Sequence, residues 1–263
     1  MHLIKHIKNI LKSIAVAFSI YSKIPMPRFK WDSDDMKYHF IFFPWVGLLI
    51  GMAQYMWMYL AKKFEISDSV FGIISVVLLI IITGGLHVDG FMDTCDALHS
   101  YQDRERKLEI LKDPHIGAFS VICLAGLVLS YTAMAIQIIR WDNVRGWMCM
   151  CLVFAISRCL SALMVLNLKP AKSDGMMRSM LDNSSKGTVT AMLLLELVAV
   201  TSVMFTFSTM AASAVVLCLV IFTVWFKNMI YKQFGGLTGD LAGYYVCMAE
   251  TLSITVITAA WLI

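Results

Sequence analysis

The sequence predicts an all-α protein that crosses a membrane several times as a helix bundle. Of its 263 residues, 59% are hydrophobic and only 15% are charged, and the mean hydropathy is +0.73, far above that of a typical soluble domain. About seven apolar runs each approach the ~20 residues that a spanning helix needs. One integral membrane domain, residues 1–263, accounts for the chain. The runs cover residues 40–60, 70–86, 116–139, 147–166, 188–207, 209–226 and 244–263.

The segment before the first span, residues 1–39, predicts an amphipathic helix in the membrane interface. Lysines are interleaved with Ile, Val, Ala and Phe over residues 7–24, and Pro25 ends the pattern. Further along, Ser208 separates the fifth and sixth runs and leaves little room for a turn. Those two runs are therefore either separate spans or one broken unit.

Lysine and arginine are distributed unequally between alternate connections, that is, between the segments before and between the apolar runs. Connections within residues 1–39, 87–115, 167–187 and 227–243 hold seventeen of the 22 basic residues, and the other set holds four. Basic-rich connections face the cytoplasm. We therefore expect a multi-pass protein of the cell membrane, with residues 1–39 and the acidic loop 87–115 on the cytoplasmic side. The four residues of the opposite set are Lys62, Lys63, Arg140 and Arg145.

The acidic loop begins with three aspartates at helical spacing. Asp89, Asp93 and Asp96 would share one helix face, where each pair at roughly 6 Å costs on the order of 3 kcal/mol at an effective dielectric near 20. No Lys or Arg occurs between Val88 and Asp103 to neutralise them. Hard carboxylate oxygens suit Mg²⁺ or Mn²⁺. The simpler alternative is a solvated acidic face.

The second half of this loop predicts another short helix over residues 103–113. Its acids, ending with Asp113, recur every four residues, although four neighbouring basic residues can pair with them. Two short acidic helices at the membrane surface result.

Three further positions carry candidate ligands. In the glycine-rich loop 235–243, Thr238, Gly239 and Asp240 offer a hydroxyl, a closely approachable backbone and a carboxylate for a phosphate or metal, unless the loop is only a flexible turn. Arg158 lies inside an apolar run and should pair with Glu196 or bind a substrate phosphate. His87, beside the acidic loop, could orient a phosphate or shuttle a proton.

Two functional classes are excluded by composition. The seven cysteines show no CxxC spacing, so neither a disulfide framework nor a zinc site is expected. The net charge of +4 comes without an aromatic-interleaved basic patch, so nucleic acid is not an expected partner.

The run from Gly84 to Asp96, GGLHVDGFMDTCD, closely resembles the signature of the cobalamin synthase, or adenosylcobinamide-GDP ribazoletransferase, family. Further blocks similar to the family's cover most of the chain. Two positions depart from its pattern: Ala97 replaces a Gly, and Cys247 replaces a Glu, with Glu250 nearby but shifted and so left out of the predicted site. The further blocks are Ile24–Pro27, Phe43–Gly47, Arg104–Asp113, Ile116–Phe119, Ser157–Arg158 and Gly235–Asp240.

The resemblance implies a Mg²⁺-dependent polytopic membrane enzyme that joins adenosylcobinamide-GDP to α-ribazole or its 5′-phosphate and releases GMP. In such a reaction Asp89, Asp93 and Asp96 would hold one or two Mg²⁺ ions, with Asp89 also catalytic. Asp113 would be the general base or a second metal ligand. Membership of a homo-oligomer or of a complex with other pathway enzymes stays open. The substrate-binding residues would be His87, Lys112, Arg158, Thr238, Gly239 and Asp240.

Two other functions compete with this interpretation. A CDP-alcohol phosphotransferase has a D-x-x-D-G-x-x-A-R pattern that resembles Asp93 to Ala97, but this chain lacks its Gly and Arg. A membrane transporter would carry its acids within the spans, whereas here they cluster in a loop.

Overall fold

The computed structural model describes residues 2–27, 29–171 and 176–261. Within them the chain forms eleven α-helices and two 3-10 helices, Ser33–Met36 and His39–Phe42, and no β-strand. The predicted all-α class is confirmed. The α-helices are α1 (His2–Tyr21), α2 (Phe43–Lys63), α3 (Asp68–Thr83), α4 (Leu86–His99), α5 (Arg104–Ile110), α6 (Ala118–Arg140), α7 (Val144–Asn167), α8 (Met176–Asp182), α9 (Lys186–Phe207), α10 (Thr209–Gln233) and α11 (Gly239–Ala260).

Six stretches of helix in the described chain are long and apolar enough to span a membrane, and a bent helix pair is a seventh candidate. The pair is α3 and α4, whose axes meet at 99°. Gly84 and Gly85 make this bend with φ of 65° and 79°, a left-handed conformation that glycine adopts without steric cost. The predicted span 70–86 therefore ends early, at Thr83, and Leu86 begins a new helix. The six stretches are His39–Lys63, Ala118–Arg140, Val144–Asn167, Lys186–Phe207, Thr209–Gln233 and Gly239–Ala260.

The connections between helices gather on two opposite sides of the bundle. On one side, which we call the acidic face, hydrogen bonds join the four basic-rich connections: Ser185 N donates to Lys37 O at 3.1 Å, Leu237 N donates to Lys169 O at 2.9 Å, and Arg104 Nη2 donates to Tyr231 O at 3.2 Å. On the other side, Lys62 pairs with Asp142 and Arg140 with Asp68. The predicted division of the connections is thus confirmed, while the cytoplasmic orientation of the acidic face stays a prediction.

Helix α7 forms the centre of the bundle. Seventeen of its 24 residues are buried, including Trp147 and Phe154, and it packs against α2, α9 and α11. Ser208 settles the α9–α10 boundary, because its extended backbone separates two helices and its hydroxyl accepts a hydrogen bond from Ala211 N at 3.2 Å. The alternative of one broken unit is therefore wrong.

Helix α4 lies across the N-terminal ends of α6 and α11, on the acidic face. Gly90 permits this close approach, since a Cβ there would lie 2.7 Å from the Asp240 carbonyl oxygen. Phe91 stacks on Tyr244 with ring centroids 5.4 Å apart. Helix α5 docks on the end of α10 through Lys107 and Gln233. Both predicted acidic helices are present, and both pack against spanning helices.

Candidate active site

A cavity of about 610 Å³, the main cavity, opens on the acidic face. Its walls come from α1, α4, α7, α8 and the start of α11. The sequence predicted ten site residues, and six of them line this cavity. These six come from three separate stretches of chain. Most of the remaining wall is apolar. The six are His87, Asp89, Lys112, Thr238, Gly239 and Asp240.

One end of the main cavity suits an anion. Thr238 is the N-cap of α11, and its Oγ1 accepts a hydrogen bond from Leu241 N at 3.2 Å. The predicted loop ends here, because residues 239–243 form the first turn of α11. The N-terminal partial positive charge of this long helix therefore lies at the cavity wall, together with the exposed Lys112 ammonium.

The carboxylates of α4 crowd one another beside this end. Asp89 is exposed and lines the main cavity. Asp93 is half-buried, and desolvation followed by the negative charges of Asp89, Asp240 and Asp96 raises its pKa to about 6. Helix α4, with 14 residues, is not one of the six described helices long enough to span a membrane by themselves, and its aspartates together with Asp240 form an acidic cluster.

Asp96 has a structural partner that the sequence does not reveal. Its Oδ2 accepts a hydrogen bond from Gly117 N and its Oδ1 from Ser120 N, both at 2.8 Å, so this α4 side chain caps the N-terminus of α6. In the described part of the chain, no three His, Cys, Asp or Glu side chains converge closely enough to hold a metal ion. A metal site made by Asp89, Asp93 and Asp96 together stays a prediction.

The crowding around Asp93 makes the stability of the metal-free protein depend on pH. Because the folded-state pKa of about 6 lies above the usual 3.8, the folded protein holds this proton more tightly than the unfolded chain does. The stabilisation is complete below about pH 4 and is lost as pH rises through about 6. Thermal unfolding in detergent with EDTA should show a melting temperature that falls over this pH range in the wild type but not in Asp93→Asn. A difference in melting temperature between the two proteins that is constant with pH would contradict the raised pKa of Asp93.

Asp113 lies apart from the main cavity. It is exposed, and its Oδ1 accepts a hydrogen bond from His115 N at 3.0 Å and lies 2.6 Å from His115 Nδ1. These two hydrogen bonds lower the pKa of Asp113, which makes it a weaker base. The structure therefore does not bring the predicted general base to the other site residues.

Arg158 pairs with a carboxylate that the sequence prediction left out. Its guanidinium is 2.6 Å from Glu250 Oε1, which also accepts a hydrogen bond from Ser157 Oγ. The proposed partner Glu196 instead accepts a hydrogen bond from Trp45 Nε1 at 2.9 Å. Because Arg158 is only 1% exposed and does not line the main cavity, its predicted role as a phosphate clamp is not met in this structure.

Sequence reasoning also missed the aromatic wall of the main cavity, formed by Tyr21, Trp31, Phe40 and Phe43. Phe43 connects this wall to the interior, since its ring stacks on His87 at 5.6 Å and lies under the Arg158 guanidinium at 5.8 Å. These aromatics carry no spacing signal, because isolated aromatic residues in an apolar chain are indistinguishable from packing residues. For Glu250, its position within an apolar run was the available signal.

A helix bundle that gathers carboxylates, a lysine and a helix N-terminus around one cavity at its end defines a multi-pass membrane enzyme with a charged substrate. Comparison with protein families is more specific, because the model of cobalamin-5-phosphate synthase matches residues 13–258. The chain belongs to the cobalamin-5-phosphate synthase family.

Curated relatives agree with this membership. An adenosylcobinamide-GDP ribazoletransferase of Lachnoclostridium phytofermentans is 35% identical over 243 residues, which cover 92% of each chain. Enzymes of the same name from Clostridium botulinum (strain Alaska E43 / Type E3) and a Geobacillus species are 30% and 31% identical, and the alignments cover 94% and 84% of this chain and 97% and 85% of theirs. No solved structure matches the chain.

Proposed function

We propose that this protein joins adenosylcobinamide-GDP to α-ribazole or its 5′-phosphate, forming adenosylcobalamin or its 5′-phosphate and GMP. Family membership over most of the chain supports this activity. The observation that carries the site assignment is that Asp89, Lys112 and the Thr238–Asp240 turn line one cavity.

The reaction is a displacement at the phosphorus that links the corrinoid arm to GMP. An acceptor hydroxyl oxygen forms the new P–O bond, and the bond from that phosphorus to the bridging oxygen of GMP breaks. Asp89 takes the hydroxyl proton, since it is the aspartate of α4 that lines the cavity. GMP leaves with the bridging oxygen and the electron pair.

The developing charge on departing GMP needs stabilisation at the opposite end of the site. Lys112 and the backbone N–H groups at the start of α11 supply it, because both present positive charge to the cavity.

The acidic cluster fits Mg²⁺, which commonly binds through one or two carboxylates, several waters and substrate phosphates. Asp89 and Asp93 would hold it, since the pKa of Asp93 is raised by burial and then by the negative charges of Asp89, Asp240 and Asp96, which a cation would offset. When bound, Mg²⁺ would neutralise charge on the pyrophosphate. The family relationship and the excess of basic residues on the acidic face support a cytoplasmic location for this site.

Purified protein in lipid, supplied with adenosylcobinamide-GDP, α-ribazole and Mg²⁺, is expected to release GMP and form a cobalamin in equal amounts. Chromatography with absorbance detection measures both products. Absence of both, with turnover of a CDP-alcohol and a lipid alcohol instead, would favour the competing phosphotransferase. Substrate-dependent ion flux without chemical change would favour a transporter.

A further inference from the structure

A second cavity adjoins the main cavity and shares Asp89 with it. This side chamber has a volume of about 440 Å³. The two cavities have only Ser19, Ile20, Leu86 and Asp89 in common among the described residues, so Asp89 lies at the boundary between them. The side chamber is otherwise lined by the start of the α1–α2 connection and by the α3–α4 bend.

Lys23 is the only cation among the described residues that line the side chamber. Its backbone is held by a hydrogen bond from Lys23 N to Ile82 O at 2.8 Å, and its stem lies over Gly84, where a Cβ would be 2.2 Å from Lys23 Cε. The side chain is exposed and forms no ion pair within the part of the chain that the structure describes. Its ammonium group is therefore available to an anion in the side chamber, which Ser22 and Thr83 also line.

In-line displacement requires the attacking and leaving oxygens on opposite sides of the phosphorus. The main cavity carries the positive groups that stabilise the leaving group, so the acceptor should approach from the other side of Asp89. Of the cavities in the described chain, the side chamber meets this requirement because Asp89 lines both.

We propose that the side chamber is the acceptor site and that Lys23 binds an anionic group on the acceptor, the phosphate of a nucleoside 5′-phosphate. Lys23 thereby determines the preference between phosphorylated and unphosphorylated acceptors. This inference rests on the proposed function and adds to it the place of the second substrate and the residue that discriminates its forms.

Steady-state kinetics with α-ribazole 5′-phosphate and with α-ribazole test the assignment. Lys23→Gln should lower kcat/KM for the phosphorylated acceptor by roughly tenfold or more, mainly through KM, because a charge-assisted contact is lost. The ratio of kcat/KM for α-ribazole 5′-phosphate to kcat/KM for α-ribazole should fall by the same factor. Lys23→Arg should restore much of this ratio. The matched control is Lys186→Gln, since Lys186 is exposed at the start of α9 and lines neither cavity.

A steric variant tests the chamber independently of charge. Met92 lines only the side chamber, so Met92→Trp should raise KM for both acceptors more than KM for adenosylcobinamide-GDP. Two outcomes would overturn the inference while leaving the proposed function intact. One is that Lys23→Gln leaves the ratio of kcat/KM between the two acceptors unchanged. The other is that Met92→Trp raises only the KM for adenosylcobinamide-GDP. If wild-type protein forms no product with either acceptor, the proposed function fails and the inference fails with it.

Discussion

Asp89→Asn and Asp93→Asn are each expected to lower turnover by about a hundredfold or more while the protein still inserts and folds. Asparagine keeps the shape of the side chain but cannot take a proton from the acceptor or offset a cation's charge. Losses of this size follow when a group that stabilises transition-state charge is removed. GMP release from adenosylcobinamide-GDP, measured in lipid with saturating Mg²⁺, gives the rate.

The same variants should not be less stable than the wild type. Removing one charge from the acidic cluster relieves repulsion around Asp93, so the melting temperature without metal should stay equal or rise. Glu105→Gln is the matched control, because Glu105 is an exposed acid on α5 that lines neither cavity. Near-normal turnover in either aspartate variant would remove that residue from the site.

Asp113→Asn distinguishes a mechanism in which Asp89 is the general base from one in which Asp113 is. The structure places Asp113 outside both cavities and bonds it to His115. Asp89 is therefore the stronger candidate for the base, and Asp113→Asn is expected to retain most of the activity in the same assay. A loss as large as that of Asp89→Asn would return the base to Asp113.

Breaking the ion pair in the bundle interior should strongly destabilise the protein. Arg158→Ala or Glu250→Ala leaves its partner as an uncompensated charge, with Arg158 only 1% and Glu250 only 7% exposed. Removing one partner of a buried pair costs on the order of 3–5 kcal/mol. Thermal unfolding of the detergent-solubilised protein should show this destabilisation.

A double variant distinguishes a structural pair from a substrate clamp. Arg158→Met with Glu250→Leu removes both charges and keeps much of the volume, so it should recover most of the stability lost in either single variant. Because Arg158 contacts Phe43 in the cavity wall, we expect activity to return with stability. A stable but inactive double variant would instead mean that the guanidinium contacts the substrate during turnover.

Much of the architecture was accessible from local patterns. Apolar runs near 20 residues predicted the spanning helices, and the counts of Lys and Arg divided the connections correctly between two sides. The acidic loop was predicted as two short helices, and α4 and α5 are those helices. These features depend on residues close together in the chain, whose hydropathy and helical spacing act before any long-range contact forms.

The structure brings predicted site residues together where backbone topology alone places them side by side. The Thr238–Asp240 turn and the start of α4 meet because Gly90 lets α4 lie against α11. The sequence did not show that Asp96 would cap α6 or that Asp113 would bond to His115 outside the cavity. Both aspartates have the same residue type and spacing as the others, so only the positions of neighbouring helices distinguish them.

By itself, the sequence determined the all-α class, the approximate number of spans, the acidic cluster and the family resemblance. Only the tertiary structure decided that Glu250 rather than Glu196 pairs with Arg158, that α3 and α4 bend by 99°, and that Asp89 lies between two cavities. The reason is that hydropathy specifies whether a helix enters the membrane, whereas the rotation and depth of each helix depend on packing with all its neighbours.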